Sequence, residues 1–268
     1  MKKIGIVGGV AWASTVEIYQ TLCQLAQAQA HAQATAQGLG PTGAPQMPEF
    51  SIESLNIARS QSLRGIEGDE ASWAGFDAYF RAALLRLQAS GVDFALIASN
   101  TPHNRLEAIT AGLSLPVLNL FELVAQEAAA LGLRRLLILG TEPTMRGQAL
   151  PSALARQDIE GCVPRAGSAE RAALVPLILQ LQAAPQAEAA ATQIQALALQ
   201  TLGESARNGE AAICLACTEL PLAFPAHREA PVFEAAGLRY LNTTRILAQA
   251  AFLTATEPVS KLAAPVNG

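Results

Sequence analysis

"GVDFALIASNTPH" (residues 91–103) and "GEAAICLACTELP" (209–221) decide how this chain folds. Each opens on a glycine, runs through a short apolar stretch, and eight residues after the glycine reaches a small polar group, Ser99 in one and Cys217 in the other. A short continuous apolar run bounded by such residues reads as a strand buried on both faces. The residues after each run read as a helix start: Pro102 suits a first helical position, and Glu219 is an acid where the helix dipole favours one. Ser99 and Cys217 are therefore expected at the carboxyl ends of parallel strands, where open α/β sheets bind their ligands.

The rest of the chain repeats this pattern. Strand candidates are 3–8, 49–55, 93–99, 116–120, 135–140, 161–164 and 212–217, with helical stretches at 14–30, 70–90, 144–157 and 168–207. The alternation predicts parallel sheets covered by helices, while the Pro/Gly-rich stretch at 38–49 reads as a surface loop. Two further matches flank the opening pair. "KKIGIVGG" parallels "RRLLILGT", and "LNLFELVAQEA" (118–128) parallels "LNTTRILAQAA" (241–251). Three matches in one order point to internal duplication. The expected fold is α/β, with two pseudosymmetric three-layer lobes, mainly parallel four-stranded sheets and an active site in the cleft between them. Residues 1–115 with 222–268 would form one lobe and 116–221 the other, with the tail returning to the first.

Composition narrows the chemistry. A net charge of −4 without a basic block argues against nucleic acid and anionic membranes as partners. No apolar run approaches the ~18 residues that span a bilayer. Four cysteines in 268 residues make no disulfide framework, and a reduced cytoplasmic setting is expected. Cys214 and Cys217 form a CxxC, but residues three apart on a strand face opposite ways. Cys214 is thus read as core and Cys217 as functional, at a strand-to-helix turn that can lower a thiol pKa. Scattered Cys and His residues suggest no metal site. Lysine occurs only at positions 2, 3 and 261, which disfavours an internal Schiff base, and "GIVGG" lacks a dinucleotide fingerprint. Cofactor-free chemistry is expected. A thiol facing a second proton-bearing group suits removal and return of a carbon-bound proton. Asn100, Thr101 and Thr218 would hold a substrate carboxylate, and Glu219 would orient Thr218 or Cys217. His103 reads as structural, and Arg59 as a possible partner for an acidic side chain.

Five motifs in order resemble the aspartate/glutamate racemase family over nearly the whole chain. They are Gly8-Gly9-Val10-Ala11-Trp12-Ala13-Ser14-Thr15, Ser99-Asn100-Thr101-Pro102-His103, Gly140-Thr141-Glu142-Pro143-Thr144-Met145, Ala216-Cys217-Thr218-Glu219 and Asn242-Thr243-Thr244-Arg245-Ile246-Leu247. The resemblance implies cofactor-independent racemization by two groups on opposite faces of Cα, Cys217 and Ser99, and a homodimer. It adds Trp12, Ser14, Thr15, Gln61, Thr141 and Thr144 to the expected substrate contacts. The chain departs from the family pattern at Ser99, where a cysteine is usual and a hydroxyl occurs in some members. It departs again at Ala13, Asn242 and Leu247, which replace Glu, Asp and His. Two other functions fit the same residues: a one-thiol decarboxylase or isomerase of a small dicarboxylic acid, and a small-acid-binding protein without chemistry.

Overall fold

The computed structural model describes residues 1–38, 45–66, 68–183, 187–206 and 208–257. Residues 39–44 of the Pro/Gly-rich stretch, Lys261 and the end of the tail lie outside the described residues.

The architecture is α/β. The first sheet holds β1 (Ile4–Gly8), β2 (Phe50–Ser54) and β3 (Phe94–Ile97) in the order β2-β1-β3, all parallel. The second holds β4 (Arg135–Gly140), β5 (Glu160–Cys162), β6 (Ala211–Ala216), β7 (Val232–Ala235) and β8 (Leu238–Asn242). Its order is β5-β4-β6-β8-β7, with β7 antiparallel to β8 and the other pairs parallel.

The sheets therefore have three and five strands among the described residues, not four each. In the first, Val117 makes only an isolated parallel bridge to Ala95. Extension stops there because Asn119 Oδ1 accepts the N–H groups of Phe121 and Glu122, at 3.0 and 3.4 Å, and starts the helix Leu120–Ala130. In the second sheet the extra pair is a hairpin. Its two turn residues, Ala236 and Gly237, both have positive φ, at 50° and 72°, as a type I′ turn demands. The tail after residue 222 thus does not return to the first sheet as one piece. The hairpin stays with the second sheet, while the helix Thr243–Thr256 packs against the helix Trp12–Ala36.

Strand alternation sets the layers. Ile4 and Ile6 of β1, Phe94 and Leu96 of β3, Leu136 and Ile138 of β4, and Cys214 and Ala216 of β6 face one core shared by both sheets. The helices Trp12–Ala36, Leu120–Ala130 and Thr243–Thr256 fill that core. The opposite parity faces outward. Val7, Ala95 and Ile97 meet the helix Ala74–Ala89, and Leu139, Ile213 and Leu215 meet the helices Ala169–Ala183 and Ala187–Leu202. No helix among the described residues is long and apolar enough to cross a membrane.

One buried charge cluster stitches the first helix to the tail. Glu17 accepts Arg245 Nε at 2.9 Å and Arg228 Nη2 at 3.2 Å. Removing one member of such a cluster leaves uncompensated charge in a poor solvent. Glu17→Ala is expected to lower the unfolding free energy by about 3 kcal/mol in urea titrations. Glu53→Ala, which breaks the more exposed 2.8 Å pair with Arg86, should cost under about 1 kcal/mol in the same assay. Equal losses would show that burial does not set the strength of these pairs.

Candidate active site

A cavity of about 270 Å³ opens beyond the carboxyl ends of β1, β3, β4 and β6. Ser99, Asn100 and Thr101 enter it from the end of β3, Thr141 and Thr144 from the end of β4, and Cys217, Thr218 and Glu219 from the end of β6. Gln61 lines it from the helix Ile57–Ser62. Nine of the twelve residues singled out from the sequence therefore share one space.

Trp12, Ser14 and Thr15 do not line it. The reason is the turn after β1. Gly9 has φ +85°, and a Cβ there would lie 2.3 Å from Leu55 O, so the chain folds back tightly against the end of β2. This starts the next helix with Trp12 turned outward and 74% exposed. Thr15 Oγ1 accepts the Gly9 N–H at 3.0 Å, and the Ser14 hydroxyl donates to Ala98 O at 2.9 Å. Ser14 and Thr15 brace the turn and the residue before Ser99.

On the β6 side, the Cys217 thiol donates to Glu219 Oε2 at 2.9 Å, and the Thr218 hydroxyl donates to the same oxygen at 2.9 Å. The other carboxylate oxygen, Oε1, accepts Gln182 Nε2 at 2.9 Å. Burial pushes the thiol well above its ordinary range, and the Glu219 charge and hydrogen bond add to that. Backbone N–H groups of Glu219 and Thr218 act on the sulfur in the opposite sense. The lowering expected at a helix start is present in sign and loses to burial. Cys217 rests as a thiol with a carboxylate acceptor in contact.

On the β3 side, Ser99 is half-buried and its hydroxyl has no hydrogen-bond partner among the described residues. Asn100 Nδ2 donates to Thr243 Oγ1 at 3.3 Å, and that hydroxyl donates to Leu215 O at 3.0 Å. The amide is thereby fixed, and its Oδ1 is buried without a donor among the described residues. Thr101, Thr141 and Thr144 form a triangle of hydroxyls at 3.1–3.2 Å, joining the ends of β3 and β4.

Sequence reasoning missed Arg64. Its guanidinium lines the cavity, and its Nε is buried with no partner among the described residues. Burial lowers its pKa, against the raising effect of Cys217 charge. A guanidinium with a free N–H facing a cavity is a ready anion site. Nothing in the spacing of "ARSQSLRG" distinguishes it from Arg59, which instead stacks on the Tyr79 ring at 4.8 Å. Glu142, the other acid on the wall, is held by Arg171 through two contacts of 3.1 Å and by Arg146 at 2.6 Å. These cations keep its carboxyl below the usual range.

The chain belongs to the Asp/Glu/hydantoin racemase family, whose model matches residues 7–251. Solved structures of racemases and their homologues share the fold, among them the following three. An aspartate racemase homologue from Pyrococcus horikoshii OT3 is 22% identical, with TM-score 0.69 over 96% of this chain and 100% of that one. The aspartate racemase of Picrophilus torridus is 19% identical, with TM-score 0.66 over 97% and 96%. Glutamate racemase from Thermus thermophilus, solved with β-chloro-D-alanine, is 20% identical, with TM-score 0.54 over 94% and 80%.

His103 lies outside the cavity and acts as a strut. Its Nε2–H donates to Ile97 O at 3.2 Å and its Nδ1 accepts the Leu120 N–H at 3.3 Å. Burial pushes its pKa down to about 4, opposed by the Ile97 bond. The unfolded value is about 6.5. Between those values the unfolded chain binds the extra proton, so stability is lost as pH falls through the window. The loss should reach about 3 kcal/mol at pH 4. Urea titrations at pH 7 and pH 4.5 are expected to show a smaller drop in His103→Gln, whose amide can make both contacts without titrating. An identical drop in both proteins would remove His103 as the cause.

Proposed function

We propose that this protein is a cofactor-independent amino-acid racemase of the aspartate/glutamate type, moving the Cα proton between Cys217 and the Ser99 side. The observation that carries this reading is the Cys217 thiol in contact with Glu219 Oε2 at 2.9 Å. A neutral thiol is a proton donor, and an adjacent carboxylate lets it become a base. Glu219 takes the sulfur proton, and the thiolate takes the Cα proton. Electron density moves toward the substrate carboxylate, and Ser99 returns a proton to the other face. Solvent in the cavity reprotonates the Ser99 oxygen and takes the proton held by Glu219, which restores both groups. Arg64 stabilises the charge that develops on the carboxylate. Asn100 Oδ1, fixed and lacking a donor among the described residues, accepts from the substrate ammonium group. A second carboxylate, on aspartate or glutamate, meets the hydroxyls of Thr101, Thr141 and Thr144.

The two directions are unequal. A hydroxyl can protonate a carbanion, but abstraction by Ser99 needs a base, and no such partner contacts its oxygen among the described residues. That same observation favours a second reading, in which Cys217 protonates a dicarboxylate-derived enolate from one face only.

Proton NMR in D2O on both enantiomers of aspartate and glutamate tests these readings. Exchange of the α-proton with inversion is expected, one enantiomer exchanging faster than the other. Cys217→Ser should reduce exchange by about 100-fold or more. Ser99→Cys, which supplies a second thiol, should accelerate inversion and even out the two directions. Exchange without inversion in the unaltered protein would favour the one-thiol reading. No exchange on any of the four acids would overturn the aspartate/glutamate proposal.

A further inference from the structure

Glu219 meets the Cys217 thiol with one oxygen, and the group that fixes the other lies far away in sequence. Oε1 accepts the amide of Gln182, in the last turn of the helix Ala169–Ala183, at 2.9 Å. The same helix walls the cavity with Val175, Ile178 and Leu179. Near its other end Arg171 grips Glu142, a second cavity-lining carboxylate. Both carboxylates on the cavity wall are thus tied to one helix.

We propose that Gln182 is a positioning residue for the thiol: its amide on Oε1 holds the Glu219 carboxylate so that Oε2 stays on Cys217 Sγ. A free glutamate side chain spreads over several rotamers. Two hydrogen bonds converging on Oε2, from Cys217 and Thr218, fix one oxygen. The Gln182 bond fixes the plane. It is charge-assisted, and such bonds are among the stronger ones in proteins. The helix that shapes the cavity therefore also sets the environment of the working sulfur, and a ligand that shifts this wall shifts the base with it. This role for Gln182 rests on the reading of Cys217 as the working thiol, but its test reads the sulfur directly.

Charged groups facing Cys217 are Glu219, from its own turn, and Arg64, from the segment after the helix Ile57–Ser62. Glu142 lines the same cavity and is neutralised by Arg171 and Arg146. A fixed carboxylate beside sulfur disfavours the thiolate. Releasing it should make the thiolate easier to form.

The experiment is iodoacetamide alkylation of Cys217, which is buried but lines the cavity, against pH; it is read by mass spectrometry of its peptide, since Cys23 and Cys162 are partly accessible. Gln182→Met keeps side-chain length and helix propensity and removes the amide that donates to Glu219. Because residue 182 is exposed, the variant should fold. In Gln182→Met the alkylation midpoint should fall by about one unit, toward that of Glu219→Gln. In a Glu219→Gln background the same substitution should shift nothing. A midpoint that stays put or rises in the single variant would overturn the proposal, as would an equal shift in the double variant. Loss of racemization with these midpoints intact would count against the functional reading alone.

Discussion

The site depends on a single constraint: two parallel sheets pack on one shared core. Inward-facing residues of β1, β3, β4 and β6 meet the same three helices, so the carboxyl ends of those strands are held in one register. Each fully buried Leu or Ile in that core contributes roughly 1.5–3 kcal/mol of burial. Sliding one sheet against the other would forfeit many such contacts at once. The cavity is therefore a fixed feature of the packing, and the short polar turns at its rim need only choose side chains. The Glu17 cluster and the threonine triangle add polar ties across the same boundary.

Parity explains why this much was legible in the sequence. In "DFALIAS" and "AICLAC" every second residue is committed to the shared core, so Ala98 and Ala216 face inward and the next residue leaves the strand at its open end. That places Ser99 and Cys217 in equivalent positions and separates Cys214 from Cys217 by strand alternation alone. The β7–β8 hairpin was harder to see. An Ala-Gly pair is a poor advertisement for a turn that needs positive φ twice, and Ala236 carries a Cβ into that region at φ 50°. Edge strands also make weaker patterns than central ones, because only one neighbour constrains them. The strand expected at 116–120 falls in the second lobe as read from sequence, but Val117 bridges Ala95 of the first sheet. "PVLNL" has strand composition, yet Asn119 caps the next helix before a ladder can form.

Local charge was not legible. A thiol at the start of a helix carries an expectation of easy ionisation, and the N–H groups that justify it are in place. Burial and an acidic neighbour outweigh them, and both depend on tertiary structure. The rotamer of Glu219 is set by Gln182, 37 residues earlier in the chain. Arg64 is a similar case. Its significance lies in a buried Nε without a partner among the described residues, which no spacing in "RSQSLRG" encodes.

The two ends of the duplicated edge are thus physically unlike. At the β6 end the sulfur has a hydrogen-bonded carboxylate, a flanking hydroxyl and a distant amide bonded to that carboxylate. At the β3 end a hydroxyl stands without a proton partner among the described residues, while its neighbour Asn100 is tied back to Thr243. The two strand ends are equivalent positions, but they do not have equivalent acidity. A raised thiol is a poor resting nucleophile and a strong base once its proton is removed, so in the proposed mechanism Glu219 decides when Cys217 is reactive. In that mechanism the proton for the opposite face comes from a hydroxyl, which gives protons far more readily than it takes them. The asymmetry between the faces is a property of the acid/base chemistry at the two strand ends, and it arises even though the backbone that carries them is nearly repeated.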